Sequence, residues 1–199
     1  MPRRADPFLE DRILNAAIGL WRKGGDKELT IRAVAEAAHT STPTVYRRFK
    51  NREEILRVLL RRIHQDLGSA LQTCRSLREA SERHIEFALN HSHEYKLLSF
   101  AYESKPYDAG GRRRSRACRS RIAGVEFVQA MKAKLAEWLG VSPEDCEHLA
   151  LALWALNHGT SMLLISGAVR DDLSSKLLRS HKAAVMILVK NASAFVTPR

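Results

Sequence analysis

The stretch from Thr30 to Phe49 limits what this chain can fold into more than any other. Ile31, Val34, Ala35 and Ala38 recur at i, i+3, i+4 and i+7, one face of a helix. Thr30 stands where a side-chain oxygen would cap that helix. Ser41 stands as a second cap, and Pro43 falls in a first turn, where its missing N–H costs nothing. Val45 and Phe49 then form an i, i+4 apolar pair. Two helices this short are not stable alone. They must pack on each other and on a third helix.

The other face of the second short helix carries Thr42, Thr44, Tyr46, Arg47 and Arg48, followed by Lys50. Small hydroxyls at a helix start can approach base edges, and a tyrosine hydroxyl, arginine or lysine can hold phosphates. This is the logic of a helix-turn-helix whose second helix enters the major groove by its N-terminal residues. The same pattern also fits a small helical hairpin with a solvated basic face. The candidate DNA contacts are Thr30, Arg32, Thr42, Pro43, Thr44, Tyr46, Arg47, Lys50 and Arg52.

The rest of the chain reads as helix throughout, about nine in all, with no period-two strand pattern. Asp6-Pro7 reads as cap and first residue of a helix whose apolar stripe is Leu9, Ile13, Ala16, Ala17 and Leu20, with Trp21 beside it; Gly24-Gly25 ends it. Asn51 to Glu54 and Ser76 to Glu79 read as capping boxes. The first opens a long helix with the stripe Leu56, Leu60, Ile63, Leu67 and Leu71. Further helices are expected to end near Asn90, to span about 92 to 102, to end at Gly140, to run from Ser142-Pro143 to about Ser166, and to run from about Ser174 to Val196. The expected division is a helix-turn-helix domain over 1–50 and a helical regulatory domain over 51–199.

The net charge of +11 divides into +6 for residues 1–63 and +5 for the remainder. The second excess comes from Arg112, Arg113, Arg114, Arg116, Arg119 and Arg121. A basic N-terminal domain suits a polyanion, although charge alone also fits a merely soluble basic protein. The arginine run reads as a loop and helix start, solvated or gating a pocket. No run of about eighteen uncharged apolar residues occurs, and the basic N-terminus lacks a signal-peptide core, so a cytoplasmic protein without membrane contact is expected. The three cysteines, Cys74, Cys118 and Cys146, match neither a zinc pattern nor a disulfide framework. His91 and His93, two apart, cannot share a helix face. No metal and no cofactor is expected. Cys118 among arginines reads either as a lowered-pKa thiol or as part of an exposed basic loop.

The run Leu29 to Leu56 resembles the DNA-binding signature of the TetR (tetracycline-repressor) family of bacterial transcriptional regulators. The resemblance rests on Leu29-Thr30, Val34-Ala35, Ala38, Ser41, Tyr46, Phe49, Arg52, Glu53 and Ile55, with Arg12-Ile13-Leu14, Ala16-Ala17, Leu20 and Gly24 upstream. It covers roughly the first third of the chain. His39 stands where the family usually has glycine, in a turn that tends to need positive φ, which histidine tolerates better than most residues.

The resemblance implies a dimer formed through the last two long helices and an effector enclosed by the middle ones. The next-to-last helix is apolar nearly all round and must be covered on every side, which a partner subunit would do. The interface is expected at Ala155, Gly159 and Leu163 on that helix, and at Leu177, His181, Val185 and Leu188 on the last. A short Trp154…His158-Gly159 run also resembles one C-terminal subtype of the family. For the effector, polar or aromatic residues on apolar faces are the candidates: His64, Leu67, Tyr95, Phe100, Tyr102, Phe127, Met131, Trp154 and His158. For each alone, a packed core residue is the competing reading. Together these readings describe a dimeric repressor, not an enzyme, that binds double-stranded DNA and is released from a palindromic operator by a small molecule. The other class open to the chain is a helical enzyme or sensor using its basic surfaces for an acidic substrate or a membrane. It lacks a phosphate-cradling loop, a metal cluster or a nucleophile–base spacing.

Overall fold

The computed structural model describes residues 6–103 and 120–195, and their side chains except those of residues 99–103 and 120–126. Among the described residues there are nine α-helices and no strand: α1 Leu9–Gly24, α2 Ile31–Ala37, α3 Thr42–Arg48, α4 Arg52–Gln72, α5 Leu77–Asn90, α6 Ser92–Glu103, α7 Ser120–Leu139, α8 Glu147–Ile165 and α9 Asp171–Lys190. Two compact units result, Met1–Arg62 and Ile63–Arg199, and the division falls inside α4 rather than at residue 50.

In the first unit α1 packs on α2, and α2 on α3. Ile13, Ala17, Leu29, Val34, Val45 and Ile55 are all at most 1% exposed. Burying each larger apolar side chain contributes about 1.5–3 kcal/mol, which holds together helices too short to persist alone. Thr30 Oγ1 accepts the Ala33 N–H at 3.2 Å, as a cap should. The turn after Ala38 places His39 at φ 52°. Gly25, at φ 68°, ends α1.

Several local expectations are corrected. Asp6 does not cap α1, which starts at Leu9 after Phe8; its Oδ1 instead accepts the Phe8 N–H at 2.9 Å, and its carboxylate pairs with Arg12. Ser41 has cap-like backbone angles, but its Oγ bonds Thr44 Oγ1 at 2.9 Å, not a backbone N–H. Both capping boxes form with a shifted return arm. Glu54 N–H donates to Asn51 Oδ1 at 2.9 Å, while Glu54 Oε2 accepts from the Lys50 N–H at 2.6 Å. Ser76 Oγ accepts from Glu79 N–H at 3.2 Å, and Glu79 Oε2 accepts from the Arg75 N–H at 2.8 Å. In each box the carboxylate reaches one residue beyond the cap. On α4, Leu56 and Leu71 are only half-buried, and Ile55 and Leu59 are buried in their stead. An i+4 row drifts around a 3.6-residue helix, so one straight stripe does not describe a helix that runs through both units.

In the second unit α5 packs on α8 and α9, and α8 also packs on α6, α7 and α9. Leu77, Leu135, Ala136, Cys146, Leu149, Ala150, Leu153 and Ala192 form one core, with Met131, Trp138 and Leu188 packed against it. Gly140, at φ 69°, ends α7. A 3-10 turn at Glu144–Cys146 follows Pro143, so α8 begins only at Glu147. The last helix starts at Asp171, three residues earlier than expected, where Asp171 and Asp172 suit the helix dipole. It stops at Lys190, and a 3-10 turn covers Ala192–Phe195. The segment Glu144–Ile165 is long and apolar enough to cross a membrane, with mean hydropathy 1.2. Its buried face, however, carries Asn157, Thr160 and Ser161, and it packs on four helices of its own unit. Phe100 and Tyr102, the arginines from Arg112 to Arg121 and Cys118 lie outside the described side chains.

Candidate nucleic-acid interface and effector site

On α3, Val45 is buried, as is Phe49 just after it, and this orients the rest of the helix outward. Pro43, Tyr46, Arg47 and Lys50 are exposed, and Thr42 and Thr44 are half-buried. Tyr46 is 54% exposed, unusual for so large an apolar ring. Arg47 Nη2 donates to Thr44 Oγ1 at 2.7 Å, so these two side chains and Ser41 form one polar group at the helix start. Arg32 is exposed on α2, and Thr30 keeps its cap role while remaining exposed.

Arg52 is a correction. Its Nε donates to the Leu29 carbonyl oxygen at 2.5 Å, Nη2 donates to the Asp26 carbonyl oxygen at 3.1 Å, and the same Nη2 pairs with the Asp26 carboxylate. The guanidinium ties the start of α4 to the segment between α1 and α2. It is occupied as a brace and does not face outward as a phosphate contact would.

The second unit holds a cluster of polar and aromatic side chains between its helices. Tyr95, on α6, is 1% exposed. Its hydroxyl lies 2.7 Å from Nε2 of His84 on α5 and 3.0 Å from Nδ1 of His158 on α8. The His84 ring stands edge-on to Tyr95 at 5.7 Å and to Phe127 of α7 at 6.2 Å. Phe127 meets His64 of α4 at 5.6 Å, and Trp154 lies 6.2 Å from His158. Burial, joined by the nearby His158, His181 and His64, pushes His84 down to about 3. Burial also lowers His158.

The structure thus brings together His64, Tyr95, Phe127, Trp154 and His158 of the sequence candidates. Leu67 is buried on α4, and Met131 packs against the separate core around Leu135. The residue missed was His84, the inner end of the chain. Its signal was available: Leu77, Ser81, His84, Ile85 and Ala88 are the buried face of α5, at i, i+4, i+7, i+8 and i+11.

On α8, Ala155 and Leu163 are exposed, Gly159 is half-exposed, and a Cβ built on Gly159 meets nothing within 4 Å. Leu151 is exposed on the same helix. On α9, Leu173, Met186 and Ile187 are exposed, Ile187 at 62%, while Leu177 and Leu188 are half-buried. His181 and Val185 are corrections to the expected interface: both are buried within the chain itself, and His181 Nε2 pairs with Asn157 Oδ1 of α8 at 2.8 Å. His181 joins α9 to α8, and neither side chain is open to a second subunit. Cys74 and Cys146 are buried thiols whose burial raises their pKa. Among the described residues no group of three or more His, Cys, Asp or Glu is placed to hold a metal.

A three-helix unit presenting a short basic helix, joined to a larger helical unit with a polar core, is the architecture of a one-component transcriptional regulator. The family described as bacterial regulatory proteins, tetR family, matches residues 13–59, and the tetracyclin repressor-like C-terminal domain matches residues 77–185. The second match spans more than half of the chain, and the chain belongs to the TetR family of transcriptional regulators. The HTH-type transcriptional regulator YvkB of Bacillus subtilis (strain 168) is 38% identical over 61 residues, 31% of this chain and 32% of YvkB, so the match spans about a third of that relative. Solved structures agree in fold. A tetR-family regulator from Streptomyces coelicolor superposes with a TM-score of 0.68 at 18% identity, over 96% of this chain and 87% of that one. The fatty acid degradation regulator FadR from Bacillus halodurans gives 0.59 at 14%, over 88% and 97%. A TetR variant from Acinetobacter baumannii AYE in complex with minocycline gives 0.58 at 15%, over 94% and 97%.

Proposed function

We propose that this chain is a bacterial, cytoplasmic repressor that binds a palindromic operator as a homodimer and leaves it when a small molecule occupies the C-terminal unit. The observation that carries this reading is α3: Val45 and Phe49 are buried while Thr42, Pro43, Thr44, Tyr46, Arg47 and Lys50 line the accessible side, with Arg32 beside them on α2. Thr42, Pro43 and Thr44 lie nearest the bases. Tyr46 and Lys50 hold phosphates, and Arg47 does either once it leaves Thr44. Phosphate contacts position a protein on DNA and base contacts specify the sequence. Thr30 stays with its cap, and Arg52 is assigned to bracing.

The dimer forms through the open faces of α8 and α9, where Leu151, Ala155, Gly159, Leu163, Leu173 and Ile187 gather apolar surface that a monomer leaves wet. The effector binds at the cluster around Tyr95. Because α4 continues unbroken from Arg52 to Gln72 and carries His64, a change at the cluster can alter the arrangement of the recognition helices. A ligand shifts that equilibrium only through differential affinity; coupling of about 1–3 kcal/mol, roughly 5- to 150-fold, is typical. The test is electrophoretic retardation of the DNA upstream of the chain's own gene against unrelated competitor. Specific retardation, relieved by a compound from a small-molecule panel, supports the reading. Equal affinity for competitor DNA overturns the operator, and a bound compound that leaves retardation intact overturns the release.

A further inference from the structure

Arg47 meets a different kind of partner from Arg12, Arg52, Arg57 and Arg62 of the same unit. Those four pair with carboxylates. Nη2 of Arg47 instead donates to Thr44 Oγ1 at 2.7 Å. The side chain is held, yet its charge is not neutralised. Both residues lie on α3, Arg47 exposed and Thr44 half-buried. Ser41 Oγ, 2.9 Å from Thr44 Oγ1, holds the same hydroxyl.

The bond decides where the guanidinium lies. The Cα of Arg47 is three residues further along the helix than that of Thr44, about 4.5 Å. Its head group nevertheless lies beside the Thr44 hydroxyl, in line with the lean of helical side chains toward the N-terminus. A recognition helix reads base edges with its N-terminal residues, so a head group held at Thr44 is placed for a base rather than for the backbone. The base that offers a planar fork two acceptors in the major groove is guanine, through O6 and N7.

Thr44 is the other half of the readout. A hydroxyl has one proton and two lone pairs. Arg47 occupies one lone pair, and Ser41 takes one further position. Once Arg47 leaves for guanine, that lone pair is open to the amino group of adenine or cytosine. The two bonded atoms are 2.7 Å apart, less than a base-pair step of about 3.4 Å, so they reach no further than adjacent base pairs. Each base favours the state in which the bond between Arg47 and Thr44 is open. Two ligands that shift one equilibrium the same way assist each other.

We propose that Arg47 reads a guanine, that Thr44 reads an adenine or cytosine in the adjacent base pair, and that their mutual bond in the free protein couples the two bases into one recognised unit. This rests on the reading of α3 as the recognition helix and deepens it by naming the bases and their coupling.

The test is selection from a randomised duplex DNA library by the full-length protein, followed by sequencing. Wild type, Arg47→Ala and Thr44→Val are run in parallel, each checked for helix content and melting temperature. Thr44→Val keeps the β-branched shape and removes the hydroxyl. Wild type is expected to prefer guanine at one position of the enriched motif, roughly 5- to 150-fold, and adenine or cytosine at an adjacent one. The pair should be enriched beyond the product of the separate enrichments by roughly fivefold, the size of one net hydrogen bond. Arg47→Ala should lose the guanine preference and keep the adjacent one. Thr44→Val should keep guanine and lose both the adjacent preference and the excess. Independent enrichment in wild type, a guanine preference surviving in Arg47→Ala, or an excess surviving in Thr44→Val overturns the proposal. Uniform weakening over all sequences in Arg47→Ala, with a reduced salt slope, also overturns it; Arg47 is then a phosphate contact and the operator reading stands. No enriched motif in wild type overturns the operator reading and the proposal with it.

Discussion

Nε of Arg52 donates to the carbonyl oxygen of Leu29 at 2.5 Å, across 23 residues of chain. With its second arm on Asp26, Arg52 closes the helix-turn-helix unit by joining its last helix to the segment that leads into α2. A lysine could neutralise Asp26 but has no planar fork to hold two acceptors at once. Arg52→Lys should therefore destabilise the chain nearly as much as Arg52→Ala, by about 1–2 kcal/mol, discounted for the partial exposure of the pair. Thermal or urea denaturation measures this. Neither variant should change the slope of operator affinity against salt, since the guanidinium is not assigned to a phosphate.

Lys50 and Thr44 should behave oppositely on DNA. Lys50→Ala should weaken binding to all sequences and reduce the salt slope by about 0.9. Thr44→Ala frees Arg47 from its 2.7 Å bond and should alter preference at particular base pairs with the salt slope kept. Titrations against an operator and its single-base variants, at several salt concentrations, separate the two effects. A changed sequence preference in Lys50→Ala would reverse the assigned roles.

Gly159→Leu has a clear reading because a Cβ built at Gly159 meets nothing within 4 Å inside the chain. Within one subunit the change should be neutral, or stabilising by about 0.5–1 kcal/mol through helix propensity. In the proposed dimer it inserts bulk where two helices approach. Analytical ultracentrifugation should show monomers of intact helicity, and operator affinity should fall with the recognition helix untouched. A full-strength dimer would move the interface away from Gly159.

His84 makes stability depend on pH. Its folded value, about 3, lies below the ordinary 6.5. Between these values the unfolded chain binds a proton that the folded chain does not. The stability from burying a neutral His84 is therefore present above about 6.5 and lost as pH falls toward about 3, by about 1.4 kcal/mol per pH unit. His158 and His181, lowered by burial, act in the same direction. Urea denaturation at pH 7, 6 and 5 should show the decline, and His84→Gln should flatten it.

The sequence was most informative where the physics is local. The caps at Thr30, Asn51 and Ser76, the positive φ at His39 and the stops at Gly25 and Gly140 all depend on residues within a turn of one another. The all-helical fold followed from periodicity, and the family from the run around α3. What escaped depended on partners far along the chain. Arg52 carries the same charge whether it meets a phosphate or a carbonyl 23 residues away. Tyr95 and His158 are 63 residues apart, so the periodicity that buries His84 does not say which side chains it meets. Periodicity also says which face of α9 is apolar but not what covers it, so His181 and Val185 read as interface although both are buried within the chain itself.

The central claim is that α3, presented twice by a dimer, reads an inverted repeat. Selection of bound fragments from the host genome by the purified protein, followed by sequencing, tests it most directly. The account predicts one enriched inverted repeat with half-site centres roughly 34–36 Å apart, or a multiple of that, lying close to the chain's own gene, and loss of the enrichment in Thr44→Ala. Enrichment of sequences without two-fold symmetry, or the same fragments recovered by Thr44→Ala, would contradict it.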